Sequence, residues 1–582
     1  MSGLSVSQRN YPEGLSYQHE LDLIDKGINP WIARSLVLRN ISDHNIAIGN
    51  YKIKPYHLLK DINKVAYHLA EAIEKQEKIM IVADYDCDGA TSCAIGLTGL
   101  KKMGANIDFM VPNRFKHGYG LSPAVVDAIL PKNPVWILTV DNGIACQEGV
   151  QYANDKGLKV LVTDHHLPAK DKPNPDAVAI VNPNQEGDTS GLNNMAGCGV
   201  IYYTLAAVRE ELKKRDYFAD GVGPNLAEWL DLVALGTIAD VVKLDDNNRW
   251  LVRQGLKRIR QGKVRPGIKA LFDIANKDIF QAISQDFGFA LGPRINAAGR
   301  LEDMTVGIRC LISEDYAEAE RLAFQLDELN FRRKDIENEM KDVAWETIDI
   351  ENQKELMTKV VYGKDFHEGV IGIVAGRIKE TTDCPTIVFA PAESEDDEEG
   401  KEPTLIKGSG RSVPTLHLRD ALDIVFKKCP YIFKAFGGHA MAAGLTIYNK
   451  HLEDFKREFE ISVKFMLNNK AYKKILEIDG DLSSTDINVE TANIINNEVW
   501  GQGFPEPLWA GNFKVIDAKV IGKDQNHVKL VLEKDYMQWD AIQFFNTDLP
   551  EIDSVIHVAY RINNNEFRGQ VRTQIMIVEK SA

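Results

Sequence analysis

The sequence has no apolar run long enough to cross a bilayer, and its N-terminus does not combine a basic region with an apolar one. We therefore expect a cytoplasmic protein with no membrane association. Its seven cysteines are scattered, without the paired spacing of a zinc module or a disulfide framework. Positive charge is also scarce, since the formal net charge is −15. That balance argues against a general nucleic-acid coat protein but leaves room for a local basic groove.

The clearest local pattern is a short apolar segment that runs into three alternate aspartates. Residues 79–83 are apolar and are followed by Asp84, Asp86 and Asp88, then by a glycine and small residues. This order predicts a buried parallel strand and a tight turn into a helix. Carboxylates crowded at the end of a strand repel one another unless a cation neutralises them. The pattern favours a divalent-metal site, and the alternative is an ordinary aspartate-rich turn with solvated side chains.

Two more predicted strands also end in carboxylate or imidazole groups. The first ends at Asp141, the second ends at Asp164, His165 and His166, and a further apolar run closes at Asp240, which we expect at a helix end. Oxygen ligands with one or two imidazoles suit Mn²⁺ or Mg²⁺ better than Zn²⁺. We predict two metal ions about 3.5–4 Å apart, a bridging carboxylate and an activated water that attacks phosphorus.

The rest of the chain predicts an α/β protein with several domains. Strands and helices alternate over residues 79–181, which is typical of a parallel sheet covered on both faces. A long helix over 315–350 is expected to connect this sheet to a smaller α/β domain. Five β runs close the chain and favour an OB-type barrel, a fold that binds single strands. These runs cover residues 514–520, 527–533, 539–545, 554–560 and 570–579.

Three glycine-containing segments could approach a phosphate. Residues 111–121 contain Arg114, other basic groups and two aromatic rings, although a flexible connector would have the same composition. Residues 288–300 place Arg294, Asn296 and Arg300 among small residues, where guanidinium groups can bind phosphate; a turn with one buried salt bridge is the alternative. Residues 436–444 offer backbone amides and His439, which could also be a plain loop residue.

The motifs DYDCDG, DNG and DHH, in this order, resemble the signature of the DHH phosphoesterase family. Three later segments, GPRINAAGR, SGR and GGHAMAAG, resemble its RecJ branch of single-strand-specific 5′→3′ DNA exonucleases. The resemblance runs from about residue 20 to the C-terminus. It implies five parts: an N-terminal helical extension (1–70), a DHH catalytic domain (71–312), a connecting helix (313–352), a DHHA1 substrate-binding domain (353–468) and an OB-fold domain (469–582).

The resemblance also implies roles for the metal-site residues. Asp141 would bridge the two ions, and His166 would orient His165 or protonate the leaving oxygen. One ion would use Asp84, Asp86 and Asp141, and the other would use Asp88, Asp141, His165 and Asp240.

Substrate contacts are implied in the same way. Ser409 and Arg411, in a polar segment placed after a strand over 404–407, would hold the 5′-terminal phosphate with help from Arg300. His439 would contact the scissile or adjacent phosphate, and Arg114 would contact the strand.

The expected activity is release of 5′-mononucleotides from single-stranded DNA with two Mn²⁺ or Mg²⁺ ions, in DNA recombination and repair. A single-strand-binding protein and a RecQ-type helicase are the implied partners of a monomeric enzyme. Two alternatives stay open at this point: a phosphodiesterase for short oligonucleotides or cyclic dinucleotides, and a non-catalytic single-strand-binding scaffold.

Overall fold

The computed structural model describes residues 5–112, 120–169, 172–350, 353–392, 403–522, 525–567 and 569–581. Two compact units make up the chain. The first combines the sequence up to Asp327 with the sequence from Ile475 onward, and the second runs from Glu328 to Lys474. Within the described residues, no helix has the length and apolar character needed to span a membrane.

The first unit begins with a mainly helical segment. Helix α4 shows why it packs: its apolar residues Ile62, Val65, Leu69 and Ile73 recur at helical spacing and all are buried. A strand near the N-terminus was not predicted. The elements are β1 (Val6–Gln8), α1 (Tyr17–Asp25), α2 (Pro30–Val37), α3 (His44–Ala47) and α4 (Ile62–Glu74).

A five-stranded parallel sheet follows, as predicted. Its strand order is β3-β2-β4-β5-β6, and every residue of β2 and β4 is buried, as expected for strands covered on both faces. All carboxyl ends therefore meet at one edge of the sheet. The strands are β2 (Ile79–Ala83), β3 (Ile107–Met110), β4 (Trp136–Val140), β5 (Lys159–Thr163) and β6 (Ala179–Val181).

Helices surround this sheet. Residues 197–239 contain two α-helices, which are separated by a segment in which Gly221 and Gly223 have positive φ. The helices are α5 (Cys87–Lys102), α6 (Pro123–Ile129), α7 (Gln147–Asp155), α8 (Gly197–Lys214), α9 (Leu230–Ala239), α10 (Asp246–Arg260), α11 (Pro266–Ile274), α12 (Ser284–Asp286), α13 (Gly292–Leu301) and α14 (Thr305–Ile312).

The predicted long helix is present. Helix α15 (Tyr316–Ile350) has 35 residues, and its apolar side chains Leu322, Leu326 and Leu329 are buried. It begins in the first unit and continues in the second.

The second unit contains a mixed five-stranded sheet with order β10-β11-β9-β8-β7, in which only the β7–β8 pair is parallel. Strand β9 extends to Arg411, so the glycine-containing segment predicted to follow the strand is part of it. The elements are β7 (Lys359–Tyr362), α16 (Ile371–Thr382), β8 (Thr386–Ala392), β9 (Leu405–Arg411), α17 (Leu418–Lys428), β10 (Phe433–Gly438), β11 (Ala442–Tyr448) and α18 (Leu452–Met466).

The C-terminal part returns to the first unit and forms a closed barrel with order β13-β14-β15-β17-β16. Five strands in this order are typical of the OB fold, which confirms the prediction. Its elements are β12 (Leu476–Ile478), α19 (Val489–Asn497), β13 (Trp509–Ile521), β14 (His527–Lys534), β15 (Met537–Gln543), β16 (Val555–Phe567) and β17 (Gln570–Ser581).

Within the first unit, the N-terminal segment pairs with the beginning of the C-terminal part. Strand β1 pairs with β12 in parallel. Beside this pair, the buried Arg39 guanidinium binds both carboxylate oxygens of Asp479, at 3.0 and 2.9 Å. A bidentate pair of this kind fixes the barrel segment against the N-terminal helices.

Candidate metal centre and phosphate-binding residues

Strand β2 and helix α5 place the three alternate aspartates. Asp84 follows the strand and is buried, and Asp86 caps α5 by accepting a hydrogen bond from the Gly89 amide at 2.9 Å. Asp88 lies in the first turn of α5 and is completely buried. The strand-to-helix turn therefore directs three carboxylates to one region, as the sequence predicted.

Asp88 also reaches the start of α8. Its Oδ2 accepts a hydrogen bond from the Gly197 amide at 2.6 Å, and its Oδ1 accepts one from the Cys198 amide at 3.0 Å. These amides belong to the first turn of the helix, where N–H groups lack partners within the helix and the helix dipole favours negative charge. The start of α8 thus fixes one metal-site carboxylate.

Asp141, His165 and Asp240 come from three other elements and meet at the same place. Asp141 follows β4 with a positive φ of 59°. His165 Nε2 lies 3.2 Å from Asp141 Oδ1 and 3.5 Å from Asp240 Oδ2. Asp240 is the C-terminal cap of α9, at the helix end that was expected. Gly197 makes this packing possible, because a Cβ there would lie 2.5 Å from Asp141 Oδ1.

The potential ligand atoms form three groups, and within each group they lie within 4.8 Å of one another. Asp141 Oδ1 and His165 Nε2 are buried and have no hydrogen-bond partner among the described residues. Buried polar atoms normally have hydrogen-bond partners. Potential ligand atoms that converge without such partners therefore fit a bound cation. The groups are Asp84, Asp86 and Asp141; Asp88, His165 and Asp240; and Asp141, His165 and His166.

The electrostatics of the cluster also fit a cation. Burial, together with the neighbouring charge of Asp86, raises the pKa of Asp84 to about 8. Burial and repulsion between carboxylates raise the pKa values of Asp141 and Asp240 well above their usual range. Carboxylates that resist ionisation together need positive charge nearby, and oxygen-rich sites with one imidazole suit Mg²⁺ or Mn²⁺.

His166 is held by a residue that the sequence analysis did not include in the site. Its Nδ1 lies 2.8 Å from Asp164 Oδ1, and Asp164 Oδ2 accepts a hydrogen bond from the Ile144 amide. Although burial opposes the charged ring, the bond to Asp164 raises the pKa of His166 to about 10. Asp164 is therefore a positioning residue. The sequence did contain an indication of this role, because Asp164 is the aspartate of the DHH motif and directly precedes the two histidines.

Helix α13 packs against the turn that carries Asp84, Asp86 and Asp88, which we call the aspartate turn. Asn296 Oδ1 accepts a hydrogen bond from the Cys87 amide at 2.8 Å. Gly299 packs so closely that a Cβ there would lie 1.9 Å from the Tyr85 carbonyl oxygen. Arg294 on this helix forms a half-buried salt bridge with Asp327 at 2.8 Å, and Arg300 lies in the last turn. Residues 288–300, for which a turn with one buried salt bridge was the alternative prediction, are thus helical and contain a half-buried salt bridge.

In the second unit, Ser409 and Arg411 lie on the same face of β9. Arg411 Nη1 lies 3.3 Å from Ser409 Oγ and donates to the Gly410 carbonyl at 2.9 Å. A Cβ at Gly372, near the start of α16, would lie 2.9 Å from Ser409 Oγ and 3.0 Å from Arg411 Nη2. A serine hydroxyl, a guanidinium and the first turn of a helix therefore adjoin one another, which is a suitable environment for an anion.

The β10–β11 hairpin of the same unit carries His439. Its amide donates to the Ala442 carbonyl at 2.8 Å, and the side chain is exposed. Gly444 pairs with Ser409 on one side and with Gly437 on the other, and both glycines face open space. Arg114, which was predicted to contact the strand, lies outside the described residues. Residues 393–402, which contain seven acidic side chains and one lysine, also lie outside them.

Comparison with known proteins adds three domain matches. The N-terminal domain of the DHH family matches residues 78–237, the DHHA1 domain matches residues 353–464, and the RecJ OB domain matches residues 478–579.

Whole-chain relatives agree with these matches. The chain is 43% identical to the single-stranded-DNA-specific exonuclease RecJ of Haemophilus influenzae and 42% identical to that of Escherichia coli. These alignments cover 89% and 90% of this chain, and 90% of each relative. A crystal structure of RecJ with Mn²⁺ from Thermus thermophilus matches all of this chain and 79% of that one, with a TM-score of 0.80 and 26% identity. The chain therefore belongs to the RecJ family of DHH proteins.

Proposed function

We propose that this protein is a metal-dependent single-stranded-DNA exonuclease that works from the 5′ end and releases 5′-mononucleotides. The observation that carries the proposal is the cluster of five aspartates and His165, buried or half-buried, whose ligand atoms converge at the carboxyl edge of the parallel sheet. Its relatives in the family are named single-stranded-DNA-specific exonucleases. Phosphodiester hydrolysis is the chemistry that such a carboxylate cluster supports.

The two cation positions follow the groups of ligand atoms. Asp84, Asp86 and Asp141 would hold one ion, and Asp88, Asp141, His165 and Asp240 would hold the other. Asp141 would be shared by the two ions, because its Oδ1 faces His165 while the residue also belongs to the first group. Bound Mn²⁺ or Mg²⁺ would activate a water and offset charge on the phosphate.

His166 would move the proton. Asp164 holds Nδ1, and Nε2 of the charged ring would donate to the leaving oxygen. Burial opposes the charged ring, but the hydrogen bond to Asp164 raises the pKa of His166, which favours the protonated form. His166 is therefore the general acid, and Asp164 sets the orientation of its ring.

The second unit would determine the direction of degradation, that is, the end of the strand at which cleavage starts. Ser409 and Arg411 are proposed to bind the 5′-terminal phosphate, with Arg300 assisting, and His439 is proposed to contact a phosphate near the scissile bond. Arg114 and Arg294 would contact the strand backbone, and Asn296, which binds the aspartate turn, would act beside them. The OB barrel would hold the strand beyond the site.

The cellular setting is proposed from the family alone. We place the enzyme in the cytoplasm as a monomer that acts in DNA recombination and repair, together with a single-strand-binding protein and a RecQ-type helicase. The domain boundaries predicted from the sequence stay predictions.

The test compares 5′-labelled with 3′-labelled single-stranded DNA, in Mn²⁺ or Mg²⁺, for the wild type and for Asp141→Ala. We expect immediate release of mononucleotide from the 5′ label, loss of that release in Asp141→Ala, and full activity in the control Asp155→Ala, which changes an exposed aspartate. Cleavage limited to dinucleotides would favour the short-oligonucleotide phosphodiesterase. Strand binding without cleavage by the wild type would favour the scaffold.

A further inference from the structure

A segment of unusual charge contains none of the predicted site residues. Residues 247–272 contain eight basic side chains and no acidic one, in a chain whose net charge is −15. They form most of α10, the connection after it and most of α11. The basic residues are Arg249, Arg253, Lys257, Arg258, Arg260, Lys263, Arg265 and Lys269.

Half of these cations already have a structural task. Arg249 and Arg253 share the buried Glu498, Arg265 binds Asp231, and Lys269 binds Asp273. The other four, Lys257, Arg258, Arg260 and Lys263, have no carboxylate within salt-bridge distance in the described part of the chain. Among these four, Arg260 Nε donates a hydrogen bond to the Ala282 carbonyl at 2.8 Å. Positive charge that no carboxylate of the fold neutralises is available to an anionic ligand.

These remaining cations line two recesses on either side of the C-terminal end of α10. One recess has a volume of about 700 Å³ and contains Arg258 and Lys263, with Lys101 from the end of α5. The Nε of Arg258 is buried without a hydrogen-bond partner there. The other recess has a volume of about 500 Å³ and contains Lys257 and Arg260. The residues directly after α10 border both recesses, since Gln261 lines the smaller one and Gly262 lines the larger one.

Acidic side chains do not neutralise the larger recess. Glu228 and Asp231 lie in its wall, but Lys102 binds the first and Arg265 binds the second. Lys101, Arg258 and Lys263 therefore keep their charge beside Glu314, the other carboxylate of the wall. The recess has a net positive charge in an acidic protein, which is the electrostatic mark of a polyanion site.

The larger recess lies at the opposite end of two helices from the metal cluster. Helix α5 begins at the aspartate turn and ends beside Lys101, and α9 begins at the recess and ends at Asp240. Thirteen residues separate Asp88 from Lys101, which is about 20 Å along a helix. The recess is therefore distinct from the catalytic centre, although rigid elements connect the two.

We infer that this pair of recesses is a second binding site for the phosphate backbone of single-stranded DNA, outside the catalytic centre. The inference rests on the proposed function only for the identity of the strand. A small phosphorylated ligand would need one enclosed pocket, whereas two open recesses across a helix end suit an extended anion. A duplex is a stiff rod that cannot follow recesses on two sides of a helix, whereas a single strand can.

The test measures binding of a 30-nucleotide single strand by fluorescence anisotropy in EDTA, so that no cleavage occurs, over a range of salt concentrations. The variant combines Lys101→Gln, Arg258→Gln and Lys263→Gln. Removing three phosphate contacts should make the slope of log affinity against log salt shallower by about 2, and binding in low salt should fall at least about tenfold. The matched control combines Lys156→Gln, Lys213→Gln and Lys214→Gln, three exposed lysines on other helices, and should keep the wild-type slope.

Two further arms separate the possible failures. A trinucleotide spans about 10 Å when stacked and cannot reach from the metal cluster to the recess, so its cleavage rate with Mn²⁺ should stay within about twofold of wild type. If the wild type does not cleave it or the 30-mer, the proposed function fails, while the binding arm in EDTA still tests the second site. Because Arg258 is partly buried, the exposed pair Lys101→Gln and Lys263→Gln repeats the measurement in case the triple variant unfolds.

Three results would overturn the inference. The first is equal salt slopes for the variant and its charge-matched control. The second is a loss confined to a 30-base-pair duplex, which would assign the recesses to double-stranded DNA. The third is full competition by inorganic phosphate at low millimolar concentration, which would assign them to a small anion.

Discussion

Replacing Gly197 by alanine tests the geometry of the metal centre without removing any ligand. Gly197 is the first residue of α8, and its amide binds Asp88. A Cβ at this position would lie 2.5 Å from Asp141 Oδ1 and 2.7 Å from Asp141 Cγ, both far inside ordinary contact, which begins at 3.4 Å. One methyl group therefore pushes directly on the proposed bridging carboxylate.

The size of the effect follows from that distance. To restore ordinary contact, the Asp141 carboxylate must move by about 0.9 Å. Misplacement by about 1 Å costs roughly 100-fold in rate, and disturbing the groups that orient a metal ligand costs about 10- to 100-fold in metal affinity. Global stability should change less, because overpacking costs about 1–3 kcal/mol and alanine regains up to about 1 kcal/mol in a helix.

The assay is a titration with Mn²⁺, followed by single-stranded-DNA cleavage at saturating Mn²⁺ and a thermal unfolding curve in EDTA. Gly376→Ala is the control, since that glycine lies within α16 and an added Cβ meets no atom within 4 Å. We expect weak Mn²⁺ binding and slow cleavage in Gly197→Ala but near-normal unfolding. Wild-type Mn²⁺ affinity and wild-type cleavage in Gly197→Ala would refute the role given to this contact.

Three other predictions follow from the described contacts. Burial beside Asp86 raises the pKa of Asp84 from 3.8 to about 8, so the metal-free folded protein keeps a proton that the unfolded chain releases, and stability from this group falls as the pH rises from about 4 to about 8. The unfolding free energy of Asp84→Asn relative to wild type, measured with urea in EDTA, should therefore increase across this pH range. A difference that stays constant with pH would contradict the prediction. Glu498→Gln leaves Arg249 buried without its carboxylate and should cost about 3–5 kcal/mol of unfolding free energy, whereas a cost below about 1 kcal/mol would mean that the pair is not a structural tie. Arg411→Lys should weaken binding of 5′-phosphorylated strands by about 10-fold or more and spare 5′-hydroxyl strands, as measured by anisotropy, because lysine cannot bind phosphate bidentately; equal losses on both strands would reject a terminal-phosphate site.

The parts of the site that could be predicted from the sequence are those that follow from strand direction. Asp84 and Asp141 come directly after an apolar strand, and His165 comes two positions after the end of β5. Parallel strands deliver their ends to one edge, so the convergence of these residues could be expected before any coordinates. The closed barrel was similarly accessible, because its strands alternate in burial, as β14 does. Both inferences use local patterns whose consequences in three dimensions are nearly fixed.

What could not be predicted depends on contacts between distant residues. No pattern near Asp88 indicates that its carboxylate accepts hydrogen bonds from the start of α8, more than 100 positions away. Strand β9 passes through Gly408 and Gly410, which predict a turn, because its ladder to β8 and β11 outweighs local preference. Asn296 lay in a motif expected to face substrate, and the structure also gives it a backbone partner at Cys87.

The pairing of the two chain ends has a consequence for biosynthesis. Arg39 is buried against Asp479, a partner 440 positions later in the sequence. At a ribosomal rate of about 5–20 residues per second, Asp479 emerges roughly 20–90 s after Arg39. During that interval the N-terminal helices carry a guanidinium that has not yet met its carboxylate, and strand β1 has an unpaired edge. The first unit therefore cannot form the Arg39–Asp479 pair or the β1–β12 pairing until the residues leading to the barrel have been translated.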